Sequence, residues 1–119
     1  MGTLTIGVFS SLVGSMNYDF ALKLAKAARE KGHNVNIWFS GNAAGSPLKG
    51  QKHLKDYSHG ETPLRALMEQ GVEVCTCEAC SLARGVNKTN AIENLQWNAM
   101  HWYLAKVHGS DRVLHIGGE

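Results

Sequence analysis

Two strand-like stretches separated by one long helical stretch restrict this chain to few folds. Leu4, Ile6 and Val8 alternate with Thr5 and Gly7, and Phe9 extends the apolar run. That alternation predicts a buried first strand. From about Asn17 to Lys31 the period changes. Phe20, Ala21, Leu24, Ala25 and Ala28 gather on one helical face, and Lys23, Lys26, Arg29 and Glu30 on the other. Gly32 follows as a left-handed stop. Val35, Ile37 and Phe39 then alternate with Asn36 and Trp38. A strand, a helical crossover and a second strand imply parallel pairing, which places the chain in the α/β class.

At 119 residues the chain is expected to be one domain, residues 1–119, with a core that needs no disulfide. Its net charge of +2 gives no reason to expect direct nucleic-acid binding. No apolar run reaches the length of a membrane span. Met1 leads almost at once into the first strand with no export leader, so the reducing cytoplasm is the expected compartment.

The later elements are less regular. Residues 10–15, Ser-Ser-Leu-Val-Gly-Ser, form a small, hydroxyl-rich loop: either a phosphate-binding turn or a plain strand-to-helix connection. Ser10 and Ser11 are its candidate substrate contacts. Residues 40–60 read as irregular and locally basic through Lys49, Lys52, His53 and Lys55. They suit either a cover that attracts an anionic substrate or acidic partner, or a solvated loop. His53 and His59 are the histidines of that loop with a possible approach to the site. Thr62-Pro63 predicts a helix start, with Thr62 as cap, and Gly71 its end. Asn90 with Glu93 reads as a capping box opening a helix that runs to His108. Its apolar residues, from Ile92 to Val107, cover more than one face, so the helix is expected to be deeply buried or to pack against another subunit, and Trp97 and Trp102 to be core or interface residues, with interface favoured. Arg112 to Ile116 reads as the last strand. His33, His101, His108 and His115 show no metal-ligand spacing.

The chemistry concentrates in residues 72–86, which hold all 3 cysteines, Cys75, Cys77 and Cys80. Val72 and Val74 begin a strand; Cys77 to Arg84 reads as a helical turn or two, closed by Gly85. Cys77 is therefore placed where a strand enters a helix, an environment that favours the thiolate. Cys80 falls one turn on, along the same face. Arg84 supports the site if it folds back. Three uses compete. Cys77 can carry sulfur as a persulfide, or Cys77 and Cys80 can cycle between dithiol and disulfide. Alternatively the three cysteines can bind zinc or an iron–sulfur cluster, though no second Cys pair supplies a fourth ligand. Small buried residues are the plain alternative.

The run Cys77-Glu-Ala-Cys80-Ser-Leu-Ala-Arg84-Gly85-Val86 resembles the cysteine segment of the DsrE/TusD-type (DsrE/DsrF-like) sulfur-relay family. The likeness extends to the first strand and its small-residue loop, the helix ending in Lys31-Gly32-His33, and Asp111-Arg112-Val113-Leu114. It implies a three-layer α/β/α domain with a mainly parallel sheet of about five strands. It implies a cytoplasmic trimer or hexamer, homomeric or built with related subunits, and neither cofactor nor metal. The implied role is a sulfurtransferase-like carrier that exchanges sulfur with donor and acceptor proteins, in tRNA thiolation or dissimilatory sulfur metabolism; the alternative is a non-catalytic assembly subunit or a Cys-x-x-Cys redox protein of the same relay. Counted back from Arg84-Gly85-Val86, the family's sulfur carrier falls on Cys77. Cys80 has counterparts in only some relatives, and Cys75 is an addition. A thiol beside a Cys77 persulfide can also release sulfide and leave a disulfide, which favours a redox role.

Overall fold

The structure is a computed structural model and describes residues 1–12, 16–55 and 59–117. Among these, five strands form one sheet: β1 (Thr3–Val8), β2 (Asn34–Phe39), β3 (Glu73–Cys77), β4 (Gln96–Asn98) and β5 (Arg112–Ile116). They lie in the order β4-β3-β2-β1-β5, and every pairing is parallel. The α-helices are α1 (Asn17–Glu30), α2 (Glu61–Glu69), α3 (Glu78–Ala83) and α4 (Met100–His108), with a 3₁₀ helix at Gly41–Gly45.

Side-chain parity along the strands builds two cores. Ile6, Val8, Val35, Ile37, Phe39 and Val74 pack with Tyr18, Ala21, Leu22 and Ala25 of α1 and Leu64 and Leu67 of α2. The opposite parity sends Trp38 and Cys75 against Trp102 and Tyr103 of α4. The fold is thus three layers, as the resemblance implies. Gly7 makes the second core possible: a Cβ there would strike the hydroxyl of Tyr103. The Trp38 ring stacks on Trp102 and Tyr103 at 6.0 and 5.8 Å between centroids.

Several expectations need correction. The helix placed at Asn90–His108 begins only at Met100. Residues 87–90 fold on their own side chains instead: Asn87 Oδ1 accepts from the backbone N–H of Thr89 and Asn90, and Asn90 Nδ2 donates to the Gly85 carbonyl. Such local bonds compete with the helical ladder. Asn94 then takes a positive φ of 73°, and Gln96–Asn98 pair with β3. Ile92, Leu95 and Trp97 therefore precede the helix and do not lie on it.

In α2, Thr62 is not the cap; Glu61 is already helical and Gly60 precedes it. Gln51 Oε1 accepts from the N–H of Gly60 and Glu61, doing the cap's work from a distant loop. Phe20 is 56% exposed, because the buried face of α1 is centred on Tyr18, Ala21, Leu22 and Ala25. The 40–60 connection holds the Gly41–Gly45 helix. Parts of two loop readings, residues 13–15 and 56–58, lie outside the described residues.

Candidate functional site: a thiol pair on the rim of the sheet

The site lies at the carboxyl end of β3. The chain passes from β3 to α3 without a loop: Cys77 keeps an extended conformation (φ −65°, ψ 118°) and Glu78 is already helical. Ser81 locks this junction. Its hydroxyl donates to the Cys77 carbonyl at 2.8 Å and lies 2.9 Å from the Thr76 hydroxyl. Gly85, at φ +76°, ends the segment.

The three thiols are free and differ in environment. Cys75 is buried beside Trp38, opposite it in the β2–β3 register. Burial pushes its thiol up to about 11, against the bonds it receives from Asn98. Cys77 and Cys80 are half-buried on the rim. The Cys77 thiol is raised: burial comes first, and it outweighs the N–H groups of Cys80 and Ala79, while Cys80 adds to the rise. The lowered thiol expected at this strand–helix junction is therefore not at Cys77.

It is at Cys80. There burial again acts upward, but the Gly41 N–H, the Cys77 thiol, the Ser40 hydroxyl and the Arg84 guanidinium outweigh it. Two thiolates side by side repel, so ionisation of one thiol hinders the other, and Cys80 is the one whose surroundings lower it. Ser40 Oγ is 3.7 Å from Cys80 Sγ. Arg84 does fold back: Nη1 donates to the Cys80 carbonyl at 3.0 Å and Nη2 to Asn42 Oδ1 at 3.3 Å.

The other sequence candidates lie elsewhere. Ser10 is on the same rim but at the end of β1, with β2 between it and β3. It is buried and accepts from Asn17 Nδ2 at 3.3 Å. Ser11 is half-buried beside it. His53 and His59 stack on each other at 4.8 Å, and His59 Nε2 lies 3.0 Å from the Thr62 hydroxyl at the start of α2. His59 borders a groove of about 360 Å³ between α1 and α2, lined by Leu22, Lys23, Pro63 and Leu67. No hydrogen bond, ion pair or ring contact among the described residues joins either histidine to the thiol pair. Nor do the described residues place three or more His, Cys, Asp or Glu side chains to share a metal ion. Cys75, turned into the aromatic core, is no partner for such a site.

Ser40, Gly41 and Asn42 escaped the sequence reading. Only the sheet register reveals them: Phe39 pairs with Thr76, so the residues that follow β2 lie beside Cys77. Asn98 escaped as well, because β4 was read as helix.

A parallel sheet with its reactive groups at the carboxyl ends of the strands defines a three-layer α/β domain bearing a thiol site. The sequence profile of the DsrE/DsrF-like family matches residues 5–116, and the chain belongs to that family, which is generally one of sulfur relay. It is similar to protein MK0008 of Methanopyrus kandleri, 30% identical over 111 residues that cover 93% of this chain and 91% of that one. The crystal structure of the ychN protein from E. coli superposes with a TM-score of 0.88 at 25% identity, covering 97% of this chain and 99% of that one. MTH1491 of Methanobacterium thermoautotrophicum shares the fold at a TM-score of 0.78 and 10% identity, over 97% and 99% of the two chains. Among the described residues no helix is long and apolar enough to cross a membrane.

Proposed function

We propose that the protein is a cytoplasmic sulfur carrier, a sulfurtransferase-like subunit that holds sulfane sulfur as a persulfide on Cys77 and passes it to a partner protein. The pathway is tRNA thiolation or dissimilatory sulfur metabolism. One observation carries the reading: two free, half-buried thiols stand together on an accessible rim, and the groups around Cys80 lower its thiol. A thiolate is the nucleophile that sulfur transfer requires, and a rim position admits a partner's cysteine.

Donor and acceptor proteins are the expected partners, together with further copies of this chain or related subunits in a trimer or hexamer. The second sheet face supports self-association. There, among the described residues, α4 packs on the sheet, and Met100, Leu104 and Val113 remain 46%, 59% and 41% exposed.

Incubation with glutathione persulfide should add about 32 Da to the intact protein, the mass of one sulfur atom, and peptide mapping should place it on Cys77. The Cys77→Ser/Cys80→Ser double variant should gain nothing. A wild-type mass that never changes, or equal loading of the double variant, overturns the reading. The neighbouring thiol also favours a Cys-x-x-Cys redox role. If that role dominates, a Cys77–Cys80 disulfide accumulates and hydrosulfide is released.

A further inference from the structure

We infer that Cys80, held by the Ser40 hydroxyl, the Gly41 N–H and the Arg84 side chain, is the residue that first accepts sulfur and then hands it to Cys77. The inference rests on the sulfur-carrier reading and adds an order to it. The support is geometric. Ser40 follows β2 directly and reaches Cys80 Sγ at 3.7 Å. Gly41 opens the 3₁₀ helix beside it, and its N–H acts to lower the Cys80 thiol. Arg84, one turn beyond Cys80, is tethered at both ends of its guanidinium, to the Cys80 carbonyl and to Asn42. The tether keeps a positive charge beside the sulfur and joins α3 to the loop after β2. Cys77, by contrast, sits as a thiol toward Cys80.

The charged groups around Cys80 are few. Its own helix carries Arg84 and the exposed Glu78; the 3₁₀ helix packed against it, Gly41–Gly45, carries none. On β3 the charged residue is Glu73, at the opposite end of the strand.

The chemistry balances without an oxidant. Cys80 thiolate attacks the terminal sulfur of a donor persulfide; the new bond joins Cys80 Sγ to that sulfur, the donor S–S bond breaks, and the donor leaves as a thiolate. The terminal sulfur keeps its proton. In the second step Cys77 loses its proton to solvent, Cys77 Sγ bonds to the terminal sulfur, and Cys80 leaves as thiolate. A thiolate with a low pKa is the better leaving group, so the cradle that favours acceptance also drives the hand-over. Ser40, Gly41 and Arg84 are positioning residues in this scheme.

The test combines loading with alkylation. With glutathione persulfide, Cys77→Ser should take the sulfur on Cys80 at near the wild-type rate, and Cys80→Ser should load about tenfold more slowly. Iodoacetamide rates against pH, read by peptide mass, should place the Cys80 midpoint below that of Cys77. Ser40→Ala and Arg84→Met should each move the Cys80 midpoint upward. A rise of about one pH unit costs tenfold in thiolate but is partly offset by higher intrinsic nucleophilicity, so loading should slow about threefold at neutral pH. Wild-type loading by Cys80→Ser, absence of loading in Cys77→Ser, or a Cys80 midpoint at or above that of Cys77 overturns the order. Absence of loading in every form, wild type included, instead overturns the carrier reading, and the alkylation midpoints still report whether the cradle holds a thiolate.

Discussion

Cys75 and Cys80 stand five positions apart in the chain and occupy opposite chemical worlds. Cys75 points beneath the sheet into Trp38, Trp102 and Tyr103, where burial outweighs the Asn98 bonds and the Lys106 ammonium and holds the proton on. Cys80 sits on the rim, where a hydroxyl, a backbone N–H and a guanidinium converge on it. The difference comes from two elementary rules. Strand parity turns Cys75 inward, and the end of the strand releases Cys80 into the space beside the next strand's exit. One segment thus supplies a packing group and a reactive group, and sulfur content alone does not tell them apart.

The largest expected effect is on native reactivity. At neutral pH Cys80 should alkylate at least about a hundredfold faster than Cys75, whose raised pKa leaves roughly one thiol in ten thousand ionised. Comparable rates by peptide-resolved mass spectrometry would erase the contrast. Trp38→Ala attacks it from the packing side. Trp38 is 0% exposed, and truncating it should cost about 3–5 kcal/mol in urea unfolding and expose Cys75 to alkylation. An unchanged unfolding midpoint would show that the aromatic stack does not define the inner environment.

Cys75→Ala should cost less, about 1–2 kcal/mol for a small cavity, and should leave sulfur loading unchanged. Loss of loading in that variant would make the inner thiol a participant. The smallest effect concerns the edge of the same strand. Glu73 is held below its ordinary 4.5 by the Gln96 amide first and the Lys106 ammonium second, against a burial effect that acts the other way. Because its folded pKa is depressed, its contribution is complete above about pH 4.5 and is lost as pH falls through the lower folded value. The carboxylate is 49% exposed, so solvent screening keeps the stake small. Glu73→Gln should change stability by under about 1 kcal/mol at pH 7 and flatten its decline toward acid. An identical acid profile would show that the pairing with Lys106 and Gln96 does not matter.

Much of the frame was legible because alternation and period are written locally. Val35-Asn-Ile-Trp-Phe39 announces a strand with two buried faces, and Arg112–Ile116 was read with its observed bounds. The cysteine segment was legible in outline for the same reason: valine alternation gives way to helix formers at Cys77. Residues 87–98 were not, because what breaks the helix there is bonding by Asn87 and Asn90 side chains, whose residue types also suit a helix cap. A three-residue strand such as Gln96–Asn98 carries too little pattern to declare itself. The preference for Cys77 over Cys80 as the charged sulfur failed differently. The strand-to-helix junction was correctly placed, but the groups that decide the matter, Ser40 and Gly41, arrive from β2 and become neighbours only through the parallel pairing of the sheet.

The most direct measurement is competitive labelling of the native, reduced wild-type protein with sub-stoichiometric iodoacetamide at neutral pH, followed by peptide mapping. The account predicts that label appears first and predominantly on Cys80, with Cys77 behind it and Cys75 last. Label appearing first on Cys77, or equally on the two rim thiols, would contradict it.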